Sequence, residues 1–308
     1  MGGTPGLVAL SHTRTAMEQA LLAIDMEINS IAVLGAGQMG NGIAQVAACA
    51  GYDVVMIDIK QEYVDAGLSS IENSLSRLVN KERMTEEEAE AALALVSIST
   101  EKSAAADSDL VVEAIPEIPQ LKFSTFAELD EICKPSTILA SNTSSISINE
   151  IASHTKRPDN VIGMHFMNPV PIMKLVEIIN GSETSAEVTV AVNVVAERMG
   201  KIPLCCNDSP GFVSNRILCP MLNEAILTLQ DGVAEPEAID GIMKLGMNHP
   251  IGPLALSDLI GLDTVLHIMN VLHEGLGDDK YAPAPLLVQM VEEGRLGRKS
   301  GSGFYDYD

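Results

Sequence analysis

Ile31-Ala32-Val33-Leu34-Gly35-Ala36-Gly37-Gln38-Met39-Gly40 is the stretch whose reading decides the fold of this 308-residue chain. It opens as a short apolar run and passes into three glycines with G-x-G-x-x-G spacing. Met39, Ile43, Val46, Ala47 and Ala50 then recur at helical spacing, and Gly51 closes that pattern. Strand, glycine turn and helix follow in that order. Glycines at this spacing permit a tight turn, close approach of a pyrophosphate and close packing of helix on sheet. The helix N-terminus faces the phosphates. The next strand, Asp53-Val-Val-Met-Ile57, ends at Asp58, 18 residues past Gly40, near the ~20 expected for a carboxylate on the adenosine ribose. The glycine motif alone is weak evidence. With both flanking elements and the acid it points to a dinucleotide site formed by Gly35, Ala36, Gly37, Gln38, Met39, Gly40 and Asp58. Asp58 favours NAD, because it repels the extra phosphate of NADP; Lys60 stands close by as a counter-signal.

Working outward, residues 62–97 read as two helices. Val64, Leu68, Ile71, Leu75 and Leu78 form one apolar stripe, and Thr85-Glu-Glu-Glu88 is a capping box for an Ala-rich second helix. This pair is a helical-hairpin insert in the sheet domain. Ser74 and Lys81 lie on it seven residues apart, on roughly one face; from the residues alone they are an ordinary solvated face. Asp109–Ile115 is strand-like, and Pro116-Glu117-Ile-Pro119-Gln-Leu-Lys122 leads into a helix that reaches Cys133. Loops after the carboxyl ends of parallel strands line the ligand crevice, so Glu117 and Lys122 are placed to touch a cofactor, or are a helix-start acid and a solvated lysine. Residues 137–140 form another strand, which ends in Ser141-Asn142-Thr143-Ser144-Ser145. This run of hydroxyls and one amide suits hydrogen bonding to a substrate oxygen, and equally suits a turn. Ser147 to Glu150 caps a short helix, and residues 184–187 cap another that ends at Gly200. Residues 201–206 form a last strand.

Between these lie two further strands, residues 160–166 and 174–179, joined by Asn168-Pro169-Val170-Pro171. Prolines cannot donate to a ladder, so they mark the link. His165 ends the first run and Glu177 lies inside the second; two adjacent strands bring imidazole and carboxylate within hydrogen-bond reach, as a general base with its orienting partner. On this stretch alone the plainer reading, a buried histidine satisfied by a neighbour and an unrelated surface glutamate, is the better one. The Asn168–Pro171 link is expected to set the angle at which Glu177 reaches His165.

Alternation of strand and helix from 31 to 206 predicts an α/β, Rossmann-like doubly wound sheet. From Asp208 no strand pattern survives. The expected divisions are a leader over 1–27, a sheet domain over 28–207 and an all-helical domain over 208–308. In the last, one helix runs to Gln230 through Pro220, one from Pro236, one from Asp258 to Leu272, and one from Pro285. Asn215 falls on the first turn of the first of these helices. The tail from Gly297 to Tyr307, with Arg298 and Lys299, is a glycine-rich loop.

Hydrophobic residues make up 46% and charged residues 20% of the chain, enough to bury a sizeable core. A net charge of −23, no Trp and few aromatics argue against nucleic acid as a partner. No run of ~18 apolar residues occurs, so no membrane span is expected. The five cysteines are odd in number and lack C-x-x-C spacing. They suggest neither a disulfide framework nor a zinc site, no metal is expected, and a reducing compartment fits.

Taken together, residues 35–45, Ser141–Ser145, Gly163–Pro171 and Asp208–Arg216 resemble the 3-hydroxyacyl-CoA dehydrogenases, most closely the 3-hydroxybutyryl-CoA dehydrogenase subgroup. Pro250–Pro253, Gly261–Asp263 and Gly301–Tyr305 extend the resemblance, which covers residues 28–308 in one collinear order. It implies that His165 takes the proton from the 3-hydroxyl of an (S)-3-hydroxyacyl-CoA while hydride passes to NAD, that Glu177 orients His165, and that Ser144 and Asn215 hydrogen-bond the reacting oxygen and thioester region. It also implies that Glu117, Lys122, Ser144 and Lys299 contact the cofactor, that Ser74, Lys81 and Ser144 contact coenzyme A, and that the chain pairs as a homodimer. The cytoplasm is expected rather than the mitochondrial matrix. Two other functions compete: a dinucleotide-binding protein without turnover, and a hydroxyacid dehydrogenase with a lysine base and no CoA. The four polar residues His165, Glu177, Ser144 and Asn215 argue against the first, and the His165–Pro171 stretch against the second. Chain length and pathway, whether fatty-acid breakdown, butyrate formation or carbon fixation, stay open.

Overall fold

The computed structural model describes residues 27–307; the leader expected over 1–27 lies, but for Glu27, outside the described residues. The chain divides into two compact units, with the break between Asp208 and Ser209. The first is an eight-stranded sheet in the order β3-β2-β1-β4-β5-β6-β7-β8. Its strands are β1 (Ser30–Leu34), β2 (Asp53–Ile57), β3 (Val96–Ser99), β4 (Leu110–Glu113), β5 (Ile138–Ser141), β6 (Val161–Phe166), β7 (Leu175–Asn180) and β8 (Ile202–Asn207). All neighbours are parallel except β6 and β7, which pair antiparallel.

The helices of this unit are α1 (Gln38–Cys49), α2 (Gln61–Asn80), α3 (Glu86–Ala94), α4 (Pro119–Ile132), α5 (Ile148–Ser153) and α6 (Ala186–Arg198). Side chains alternate across a strand, and that parity sorts the sheet into two faces. Ile31, Val33, Val54, Met56, Val112, Ala140, Met164 and Ile178 form one continuous core with Ile43 and Ala47 of α1, Ile71 and Leu75 of α2, and Val192 and Val195 of α6. The residues of opposite parity, among them Glu113, Ser141, His165 and Glu177, belong to the other face.

The helical hairpin forms as its sequence requires. Thr85 accepts from the Glu88 amide, and Glu88 returns a bond to the Thr85 amide, satisfying two N–H groups that the helix start leaves orphaned. In three places the structure corrects the sequence reading. The second hairpin helix stops at Ala94, and Val96–Ser99 is a strand, added parallel to β2 at the sheet edge. The cap of α6 is Ser185, whose hydroxyl accepts from Val188 N–H, while Thr184 turns to the Val161 carbonyl. In the second unit the run read as one helix from Asp258 is two, Pro253–Ile260 and Leu262–Leu276, set 97° apart. Gly261 between them has φ +101°, a conformation in which an L side chain is strained.

The second unit is helical: α7 (Ser214–Gln230, with Pro220 inside), α8 (Pro236–Gly246), α9 (Pro253–Ile260), α10 (Leu262–Leu276) and α11 (Pro285–Glu292). Leu222, Ile226, Leu254, Val265, Met269, Leu272 and Leu287 make its core. Asp258, 1% exposed, accepts from the amides of Phe304 and Tyr305 and from the Tyr307 hydroxyl, so a buried carboxylate holds the carboxyl-terminal loop.

Candidate active site

The glycine turn builds the first part of the site. Gly35 has φ +101°, and a Cβ there would meet the Ala114 carbonyl at 2.4 Å. A Cβ on Gly40 would stand 1.7 Å from the Gly35 carbonyl, so Gly40 serves the close packing of α1 under the turn. Gly37 precedes the first residue of α1 with its amide-rich end open to the turn. Asp58, at the end of β2, accepts from Ala36 N–H (2.7 Å) and Ile59 N–H (2.7 Å), which fixes both its own carboxylate and the turn. Around these residues lies a cavity of about 670 Å³, lined by Gly35, Ala36, Gly37, Gln38, Met39 and Asp58, and on its far wall by Ala114, Ile115, Pro116, Leu121 and Thr125. Lys60, the counter-signal to NAD, is engaged elsewhere: its ammonium lies 3.2 Å from Glu62 and over the Tyr63 ring. A turn that lacks Cβ atoms at Gly35, Gly37 and Gly40, a helix N-terminus and a carboxylate on the neighbouring strand match what a dinucleotide with a free ribose diol requires.

The second part is the pair on β6 and β7. His165 and Glu177 are directly opposed in the antiparallel register, so their side chains leave the same face, and His165 Nδ1 lies 2.8 Å from Glu177 Oε2. Both side chains are buried, 11% and 5% exposed. A carboxylate on Nδ1 holds the proton there and leaves Nε2 as the basic nitrogen. The ladder, rather than the Asn168–Pro171 link, sets this approach, because the register alone brings the two residues opposite one another.

The third part is the hydroxyl turn after β5. Glu117 Oε1 accepts from the Thr143 hydroxyl (2.6 Å), from the amides of Ser144 (2.8 Å) and Ser145 (3.1 Å), and from the hydroxyls of Ser144 (3.2 Å) and Ser145 (3.1 Å). Burial opposes ionisation of Glu117, but the Lys122 ammonium and the donors from Thr143 and Ser144 outweigh it, so its pKa lies below the ordinary glutamate value. Lys122 is 1% exposed and lies between Glu113 (2.6 Å) and Glu117 (3.2 Å). Glu117 and Lys122 are thus committed to one another and to residues 143–145, while Leu121 and Thr125 of the same helix line the cavity.

Among the other expected residues, Ser74 is half-buried on α2 and Lys81, the residue that caps the end of that helix, is exposed, and neither belongs to the lining of the cavity. Asn215 lies in the first turn of α7, and Lys299, ion-paired with Asp263, follows α11; both belong to the second unit. Sequence reasoning missed Glu113 and the bridging use of Asn142, whose side chain accepts from Phe166 N–H (2.9 Å), the residue after His165. A signal for Glu113 was present: a charge inside an apolar strand, Leu110-Val-Val-Glu113-Ala, needs a buried partner.

A doubly wound sheet, a glycine-turn cavity with a carboxylate at the end of the neighbouring strand, and a histidine–carboxylate pair on the sheet define an NAD-dependent oxidoreductase. Residues 30–209 match the 3-hydroxyacyl-CoA dehydrogenase NAD binding domain and residues 211–307 the 3-hydroxyacyl-CoA dehydrogenase C-terminal domain; the chain belongs to the 3-hydroxyacyl-CoA dehydrogenase family. It is 61% identical over 275 residues (89% of this chain, 99% of the relative) to a probable 3-hydroxybutyryl-CoA dehydrogenase of Deinococcus radiodurans. It is 51% identical to the 3-hydroxybutyryl-CoA dehydrogenase of Bradyrhizobium diazoefficiens, over 91% of this chain and 96% of that one. The crystal structure of (S)-3-hydroxybutyryl-CoA dehydrogenase from Ralstonia eutropha is similar with a TM-score of 0.90 and 50% identity, covering 92% of this chain and 100% of that chain.

Proposed function

We propose that this protein oxidises a short-chain (S)-3-hydroxyacyl-CoA, 3-hydroxybutyryl-CoA foremost, to the 3-oxoacyl-CoA, and runs the reverse reduction of acetoacetyl-CoA. The observation that carries this reading is the buried 2.8 Å contact between His165 Nδ1 and Glu177. NAD, when bound, supplies the hydride acceptor. His165 Nε2 takes the hydroxyl proton in the oxidative direction and returns it in the reductive one, while Glu177 fixes the tautomer and offsets the charge of the imidazolium. The turn at 35–37 and the start of α1 receive the pyrophosphate, and Asp58 receives the adenosine ribose. Ser144, together with Asn215, hydrogen-bonds the reacting oxygen and thioester region. Glu117 and Lys122 shape the nicotinamide side, Lys299 adds a cofactor contact, and Ser74 and Lys81 on the hairpin contact coenzyme A. The active species is a homodimer, and the free thiols suit the reducing cytoplasm.

The test is His165→Gln. NADH binding stays intact while acetoacetyl-CoA reduction falls by about 10²–10⁴-fold, the usual worth of a positioned acid–base group. Near wild-type turnover in that variant would remove His165 from the role of base. Steady-state comparison of acetoacetyl-CoA with longer 3-oxoacyl-CoA substrates then fixes the chain-length preference.

A further inference from the structure

Beside the proton-transfer pair the sheet holds a buried ionic cluster centred on Glu113. This residue ends β4, is fully buried, and pairs in register with Ser141 at the end of β5. Its Oε2 accepts from the Ser141 hydroxyl at 2.6 Å. Its Oε1 accepts from Lys122 Nζ at 2.6 Å and from Ile115 N–H at 2.7 Å. Lys122 in turn reaches Glu117 Oε2 at 3.2 Å, and the other oxygen of Glu117 gathers the donors of residues 143–145. Glu113 therefore grips the hydroxyl turn at both ends, directly through Ser141 and indirectly through Lys122 and Glu117. Ser141 relays the hold to Thr143, whose amide lies 3.2 Å from its hydroxyl. Asn142 sits between them, donating its amide to the Glu113 carbonyl (2.8 Å) and accepting from Phe166 on the strand of His165. Each residue from 141 to 145 is tied to Glu113, to Glu117 or to that strand.

Apolar residues of similar volume would hold β4, β5 and α4 together without the desolvation cost of buried charges. What a hydrogen-bonded ionic cluster adds is direction: fixed donors and acceptors at fixed places. We propose that Glu113 is a positioning residue for the reaction, fixing the 141–145 turn through Ser141 and through Lys122–Glu117 so that the Ser144 hydroxyl is held toward the reacting oxygen. This rests on the reading of Ser144 as the group that hydrogen-bonds that oxygen. Glu113 touches neither substrate nor cofactor; it acts through Ser144.

The experiment is a double-mutant cycle in the full chain between Glu113→Gln and Ser144→Ala. It is read as kcat for NADH-dependent acetoacetyl-CoA reduction, KM for acetoacetyl-CoA, NADH affinity by fluorescence, and melting temperature. Ångström-scale misplacement of a reacting group costs up to about 100-fold, so Glu113→Gln is expected to lower kcat by about 10–100-fold, with NADH affinity held within about threefold. In the Ser144→Ala background the same change adds less than about twofold, because the group being positioned is already gone. An undiminished factor in that background overturns the proposal, because the loss then does not run through Ser144. Ser144→Ala with wild-type kcat instead overturns the reading of Ser144, and the proposal with it. If Glu113→Gln does not fold, Ser141→Ala cuts the same bond from its other end. It is expected to lower kcat by about 3–10-fold alone and not at all in the Ser144→Ala background; wild-type kcat for Ser141→Ala overturns the proposal.

Discussion

Replacing Glu177 with glutamine keeps the size of the side chain and removes its charge, which isolates the electrostatic part of its action on His165. The two groups are 2.8 Å apart at their nearest atoms and both are nearly excluded from water. Charge centres about 4 Å apart interact by about 4 kcal/mol at an effective dielectric of ~20. Since about 1.4 kcal/mol is tenfold in rate, losing that attraction for the imidazolium lowers turnover by about 10²–10³-fold. Glutamine adds a second loss. Its amide can turn the NH₂ toward Nδ1, which stabilises the tautomer with its proton on Nε2, and that tautomer has no lone pair facing the substrate; the combined loss reaches ~10⁴. The assay is the decrease of NADH absorbance with acetoacetyl-CoA, with NADH affinity and melting temperature measured on the same preparation. The expected outcome is a kcat reduced by about 10²–10⁴-fold at unchanged NADH affinity, and Glu177→Asp, which keeps the charge at a longer reach, falls between. A Glu177→Gln enzyme within threefold of wild type would show that the carboxylate does not assist His165.

Three further outcomes follow from the geometry. Asp58→Ala removes the proposed ribose acceptor and the bond to Ala36 N–H, so NADH affinity is expected to fall about tenfold or more, and the preference for NADH over NADPH to shrink, read as the ratio of kcat/KM values. Gly40→Ala places a methyl group 1.7 Å from the Gly35 carbonyl, a backbone clash that no side chain can relieve; a loss of about 3 kcal/mol in denaturant stability is expected, together with weaker NADH binding. Asp109, which ties Asn29, Ser30 and Lys134 together, is held down at a pKa of about 2, because the Lys134 ammonium and the backbone and hydroxyl donors outweigh the opposing effect of burial. A lowered carboxylate pKa contributes stability above the unfolded value near 4 and loses it as pH falls toward 2. Asp109→Asn is therefore expected to cost roughly 1–2 kcal/mol at pH 7, while its difference from wild type closes below about pH 2.

The sheet unit was legible because its determinants are local. The glycine turn, the acid 18 residues later and the capping box at Thr85 each act over a few residues, and the structure contains all of them. β3 escaped because Val96–Ser99 is four residues long, sits at an edge and follows an Ala-rich helix without a break residue. Its strand character comes from pairing with β2, which no local pattern records. Glu113, and with it the pairing of Lys122 to Glu113, escaped for a related reason. A glutamate after Leu-Val-Val and a lysine on a helix look solvated until the sheet parity and the packing of α4 bury both against each other.

Parity also explains why the chemistry collects where it does. Glu113 pairs with Ser141, Ser141 with Gly163, and Gly163 with Ile179, one row across four strands. His165 and Glu177 lie two residues along from Gly163 and Ile179, and so leave the sheet on the same face. A slip of one residue between β6 and β7 would turn Glu177 to the opposite face, so the register itself is part of the site. The proline link then has a different use from setting an angle. A Cβ on Gly42 of α1 would meet Val170 at 2.8 Å, and the buried Lys201 ammonium binds the carbonyls of Val170 and Met173. The link is thereby packed on α1, the helix that begins at the glycine turn, so the chain between His165 and Glu177 and the wall of the cavity share one packing contact.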